Sequence, residues 1–185
     1  MNINLIGMRG VGKSNVARRL SVLTKRPVMS TDVLIEYESG MAVPQFVAAR
    51  GWREFRDLEF DIITKLAEMD GLIVDCGGGA LVDLDGGGDE VYSARKVQAL
   101  RDGGPIIYLE GDIVRLAAKT EADPTRPVID PGMTAEGVMR RREPFYRQAA
   151  DWTIVVDRET RQEAAETIAA KYTEGDQSSS NTVTR

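Results

Sequence analysis

Gly7-Met8-Arg9-Gly10-Val11-Gly12-Lys13-Ser14 restricts what this chain can fold into more than any other stretch. Glycine, four free positions, then Gly-Lys-Ser is the pattern of a P-loop, provided that a strand precedes it and a helix follows. Both flanks are present: Ile3, Leu5 and Ile6 form a short apolar run, and Val16, Leu20 and Leu23 recur at helical spacing. Each residue type has a physical reason. The glycines let backbone N–H groups turn inward onto phosphate oxygens, and the helix N-terminus adds partial positive charge. In such a loop Lys13 sits against the β- and γ-phosphates and the Ser14 hydroxyl on Mg²⁺. Gly10, Val11, Gly12, Lys13, Ser14 and Asn15 are thus candidate nucleotide-binding residues, with a nucleoside triphosphate as co-substrate and Mg²⁺ as cofactor.

A chain of 185 residues fits one domain with a full core. Residues 26–30 read as a second strand, and Thr31-Asp32 as the pair that caps the next helix. Over residues 53–69, Leu58, Ile62, Ile63, Leu66 and Met69 give a helix with one apolar face. Leu72-Ile73-Val74 is a buried strand that ends in Asp75-Cys76 and Gly77-Gly78-Gly79. Two more strand–helix units follow, residues 105–109 with a helix around Ile113, Leu116 and Ala117, and residues 153–156 with a helix over 163–172. The alternation predicts a three-layer α/β/α fold with a central five-stranded parallel sheet, over residues 1–173. Residues 120–133, with Pro124, Pro127, Pro131 and Gly132, read as a loop of functional length, and residues 174–185 as a polar, disordered tail. The run Asp83-Leu84-Asp85-Gly86-Gly87-Gly88-Asp89-Glu90 tempts a calcium-loop reading, but Gly87 and Ala94 stand where acidic ligands are needed. A solvated, peripheral turn is expected there. Trp52 and Trp152 are expected to pack rather than to serve as stacking platforms.

Composition removes several functions. A net charge of −5 argues against a nucleic-acid partner, and no apolar run is long enough to span a membrane. The lone Cys76 excludes an internal disulfide and a thiolate zinc site, and fits a reducing compartment. With no histidine, Ser-His-Asp and Cys-His chemistry is excluded, so proton transfer falls to carboxylates, lysines, tyrosines or water. A cytoplasmic monomer is expected.

Three polar clusters decide where the phosphate goes. Asp32 follows the second strand, where strand ends open onto a ligand crevice. Arg56 and Glu59 lie three apart on one side of a helix, so the acid can hold the guanidinium. Gly77-Gly78-Gly79 lets the backbone approach a ligand. Together with Phe55-Arg56, Gly77-Gly78-Gly79-Ala80, Arg126-Pro127 and Arg142-Glu143-Pro144-Phe145-Tyr146, in that order, the chain resembles the shikimate kinase family over about residues 1–170.

The resemblance implies a P-loop kinase fold with a mobile lid (about 120–133) and substrate-binding helices (about 32–69). It implies ATP-dependent phosphorylation of the shikimate 3-hydroxyl in aromatic amino-acid synthesis. Arg56 and Arg142 match the arginines that bind the substrate carboxylate, Asp32 the aspartate that contacts the hydroxyl, and Gly77, Gly78 and Gly79 the rest of the substrate pocket. Lys13, Asp32 and Arg126 are the catalytic candidates, Arg126 as the lid arginine over ATP. Adenine is expected near Lys119 and Asp157-Arg158. The chain departs from the family in carrying Ser30-Thr31-Asp32 where Asp-x-Asp is usual, so a carboxylate that helps to hold Mg²⁺ is missing. Asp75, near the position of a Walker-B acid, is the expected replacement, with Ser14 as the other metal-side residue. An insertion follows Ala80, and the connection from lid to Arg142 is short. Kinases of other hydroxy acids such as gluconate, and a non-catalytic nucleotide-binding module, are the alternative readings.

Overall fold

A computed structural model describes residues 1–122, 132–157 and 160–179. The strand ahead of the P-loop, β1 (Ile3–Ile6), is buried at every position because it is the middle of the sheet. Strands β2 (Val28–Ser30), β3 (Ile73–Asp75), β6 (Ile106–Glu110) and β7 (Trp152–Val155) complete it in the order β2-β3-β1-β6-β7, all parallel. Leu5 is in register with both Asp75 of β3 and Ile107 of β6, so the loops after β1 and β3 leave the sheet side by side. Asn2 and Asn4 are buried polar residues at the base of this sheet, away from the cavity. Asn2 Nδ2 donates to Leu66 O (2.8 Å) and Met69 O (3.0 Å), and Asn4 Nδ2 to Leu100 O and Gly104 O (both 2.9 Å). Each asparagine adds a donor to carbonyls at a helix end, where the intrahelical ladder runs out.

Helix α1 (Lys13–Thr24) packs on α7 (Arg161–Ser179), and α3 (Val43–Ala67) packs on α2 (Thr31–Ser39) and α4 (Ala94–Gly103). Helices α5 (Ile113–Glu121) and α6 (Ala135–Ala149) form a third pair. The five-stranded parallel α/β/α architecture is thus the one that the alternation of strands and helices predicts. The apolar faces also hold, except at their last turns, where Leu23 and Met69 are exposed. Among the described residues no helix is long and apolar enough to cross a membrane.

Four details differ from the expectation. Ser30, not the pair Thr31-Asp32, caps α2, its hydroxyl accepting from Val33 N. That leaves Thr31 Oγ1 to accept from Gly77 N at 2.8 Å, and leaves Asp32 to the cavity. Helix α3 begins well before residue 53, with Pro44 in its first turn and a break at Gly51 (φ 82°, ψ 169°). Helix α7 continues to Ser179, past Glu174, where a disordered tail was expected. Lastly, the Asp- and Gly-rich turn is the tip of an antiparallel hairpin, β4 (Val82–Leu84) and β5 (Glu90–Tyr92), closed by Asp85 Oδ1 accepting from Gly87 N and Asp89 N.

Candidate active site

The loops after β1 and β3, the start of α2, the second half of α3 and the helix α6 surround one cavity of about 920 Å³. Its nucleotide end is the P-loop. Gly12 is the N-cap of α1 at φ 108°, a left-handed conformation that a side chain at this position would strain. Among the described residues no side chain caps the helix, and its positive end faces the cavity beside Gly10, Lys13, Ser14 and Asn15. Lys13 is buried and its Nζ donates to Gly7 O (2.8 Å) and Met8 O (3.3 Å). Burial lowers its pKa, while Asp75 and Asp32 oppose that shift. Arg161, at the start of α7, lies against Gly12 with its buried Nε lacking a partner among the described residues. Lys119 Nζ reaches Gly10 O at 3.3 Å. Arg9, Lys119 and Arg161 all line the cavity.

The two carboxylates expected near the metal and the acceptor converge there. Asp75, at the end of β3, and Asp32, in the first turn of α2, both line the cavity and both act on Lys13. Burial, and then the charge of Glu59, raise Asp32 above the ordinary carboxylate range, with Lys13 working the other way. Gly77 is tight against Asp32: a Cβ there would lie 2.3 Å from Oδ1. Ser14 and Asp75 offer hard oxygen donors to the same space, which suits Mg²⁺, an ion that keeps several waters and takes other ligands from phosphates. Among the described residues no three His, Cys, Asp or Glu side chains form a closed metal cage. Cys76 is buried and its thiol is pushed up, mainly by burial, so it offers no thiolate.

At the other end two buried arginines approach the glycine run. Arg56 Nη1 donates to Glu59 Oε2 (2.8 Å) and to Gly79 O (3.1 Å), while its buried Nε has no partner among the described residues. Trp52 and Phe55 hold the guanidinium over their rings at 5.2 and 5.3 Å. Trp52 packs against the core and edge-on to Phe55, as expected, and also lines the site. Arg142 Nη1 donates to Gly78 O at 3.0 Å, and Tyr146 Oη to the same carbonyl at 2.5 Å. Burial pushes the Tyr146 pKa up to about 12, so its phenol stays a donor. Burial alone would raise Glu59, but Arg56 and Lys96 outweigh it and keep it ionised.

Of the expected site residues within the described residues, all line this cavity except Val11, which is buried in the core, Gly77, which packs behind Asp32, and Asp157. Arg126 lies outside the described residues, as does Arg158. Sequence reasoning missed Arg161, Lys96 and Glu90. Arg161 carried no motif, Lys96 looked like an ordinary surface helix position, and Glu90 sat in the turn dismissed as peripheral.

A parallel sheet with a P-loop after its central strand, and an acid and two buried arginines across the cavity, define a P-loop kinase of small molecules. Comparison with known proteins agrees and goes further. Residues 9–173 match the family described as shikimate kinase. A shikimate kinase of Leptospira biflexa serovar Patoc is 46% identical over 169 residues, 91% of this chain and 93% of that one. One from Leptospira borgpetersenii serovar Hardjo-bovis is 42% identical over 84% and 89%. The structure of Acinetobacter baumannii shikimate kinase in complex with shikimate superposes with a TM-score of 0.79 at 26% identity, covering 94% of this chain and 93% of that one. The chain belongs to the shikimate kinase family.

Proposed function

We propose that the protein transfers the γ-phosphoryl group of ATP to the 3-hydroxyl of shikimate, giving shikimate 3-phosphate and ADP, as a cytoplasmic monomer supplying aromatic amino-acid synthesis. The observation that carries this reading is the pair Arg56 and Arg142, both buried and both on the wall of the cavity that holds Lys13 and Asp32. Such arginines suit a carboxylate on a small ring, and Arg56 Nε, without a partner among the described residues, offers it a hydrogen bond.

Catalysis then consists mainly of placement and charge neutralisation. The P-loop N–H groups and Lys13 hold the β- and γ-phosphates, and Asp32 orients the attacking hydroxyl and takes its proton. Its raised pKa makes it a better base than an ordinary aspartate. Mg²⁺, when bound, supplies positive charge to the phosphate oxygens; Ser14 would hold it directly and Asp75 through water. Arg126 is assigned to the lid over the γ-phosphate. The test is ADP release by the purified protein with Mg-ATP and shikimate, gluconate or quinate. Strong stimulation by shikimate alone is the expected result; stimulation by gluconate instead would replace the substrate.

Asp75 carries a separate expectation. If it stands in for the carboxylate missing at Ser30, Asp75→Asn should raise the Mg²⁺ concentration for half-maximal turnover by about tenfold or more, the usual cost of losing an outer partner of a metal. A Mg²⁺ titration that matches the wild type would remove Asp75 from the metal.

A further inference from the structure

Of the two arginines that line the acceptor end, the β4–β5 hairpin holds Arg142 directly from outside the cavity, and reaches Arg56 only through Lys96 and Glu59. On β5, Glu90 takes Arg142 by one edge: Oε2 accepts from Nε at 2.9 Å and Oε1 from Nη2. Arg141 Nη2 adds a contact to Oε2 at 3.0 Å. On β4, Val82 O accepts from Lys96 Nζ at 2.8 Å, and Asp83 Oδ1 lies 3.5 Å away. Lys96 Nζ also donates to Glu59 Oε2 at 2.8 Å, and that same oxygen takes Arg56 Nη1. Lys96 is fully buried and the Glu90 side chain is 7% exposed. Neither lines the cavity, whereas Arg56, Glu59 and Arg142 do.

We propose that Glu90 is a positioning residue for acceptor binding, which fixes the guanidinium of Arg142 from behind so that its remaining N–H groups meet the acceptor's carboxylate. The inference rests on the reading of the site as a shikimate kinase. Its chemistry is simple. Glu90 engages Nε and one N–H of Nη2, and Gly78 O one N–H of Nη1, so among the described residues a single N–H is left on each terminal nitrogen. A free arginine side chain has many rotamers, and ordering them on binding weakens affinity. With Glu90 in place that ordering has already happened. Since Glu90 stands behind Arg142 and off the cavity wall, it does not compete with the ligand for the same space.

The experiment compares wild type, Glu90→Gln and Glu90→Asp by steady-state kinetics and thermal melting. Glu90→Gln keeps the shape but turns an amide N–H toward a guanidinium that needs acceptors. Its KM for shikimate should rise by about tenfold or more, with the KM for ATP within about twofold and the melting curve still cooperative. Glu90→Asp restores the charge and should recover part of the loss. An unchanged shikimate KM in Glu90→Gln, or equal rises in both KM values with no recovery in Glu90→Asp, would overturn the assignment. A wild type that turns over no shikimate would instead overturn the proposed function. The decision then passes to the ligand-free protein, in which the Arg142 Nε–H signal in ¹⁵N NMR should exchange slowly with solvent in wild type and quickly in Glu90→Gln. Equal exchange would overturn the proposal.

Discussion

Lys13→Ala should lower kcat by about 10²–10³-fold or more, the cost of removing one donor aimed at developing charge in a shielded site. Lys13 sits where three demands meet. Its ammonium bridges the Gly7 and Met8 carbonyls, it faces Asp75 and Asp32, and it occupies the end of the loop that α1 directs at the phosphates. Without it the γ-phosphate would face two carboxylates with no lysine between them. The fold should survive, because the lost bonds are to carbonyls of a loop that opens on the cavity. A loss of about 1 kcal/mol in stability would shift the melting temperature by only about 2–4 °C in a chain of this size. Turnover and melting measured on one preparation check both halves, and kcat within a few-fold of wild type would overturn the P-loop assignment.

Arg56→Ala should separate the two substrates. Truncating one partner of a buried, hydrogen-bonded charge pair costs about 2–5 kcal/mol, and each 1.4 kcal/mol is tenfold, so the shikimate KM should rise by roughly 30-fold to 10³-fold or more. The ATP KM should stay within about threefold, because the Arg56 contacts are to Glu59, Gly79 and the rings of Trp52 and Phe55, none of them in the P-loop. Glu59 does not become an orphan, since Lys96 Nζ remains bound to it. Lys96 is therefore what should keep this variant folded. Equal rises in both KM values would withdraw the carboxylate role from Arg56.

Where the sequence was legible, local chemistry and period agreed. Gly7 to Ser14 could be read because a P-loop demands those residue types in that order, and the sheet because β1, β3 and β6 are short apolar runs between helices. Asp32, Arg56, the glycine run and Arg142 were singled out by spacing and family resemblance together, and Asp32, Arg56, Gly78, Gly79 and Arg142 line one cavity. What could not be read depends on long-range placement. Nothing near Glu90 in the chain signals that it meets Arg142, and a run rich in Asp and Gly reads as solvated until a partner strand turns it into a hairpin. Lys96 is similar: a lysine on a short helix is ordinarily exposed, and only Glu59, Asp83 and the Val82 carbonyl, brought from other elements, make its burial tolerable. Ser30 shows the same limit at close range, since three adjacent polar residues, Ser30, Thr31 and Asp32, could each have capped α2.

The position of β1 at the middle of the sheet also bears on how the protein is made. Its neighbours, β3 and β6, lie some seventy and a hundred residues further along the chain, with Ile3 opposite Ile73 and Asn4 opposite Ile106. At a synthesis rate of about 5–20 residues per second, the strand that becomes the centre of the sheet waits on the order of 5–20 s for its second partner to leave the ribosome. During that interval an apolar segment with open edges is exposed to other nascent chains. Asn4, which ends up satisfied by the Leu100 and Gly104 carbonyls, is also the one residue that interrupts the run of Ile3, Leu5 and Ile6. A single side chain thereby stitches the finished sheet to α4 and breaks the apolar continuity of the strand while it waits.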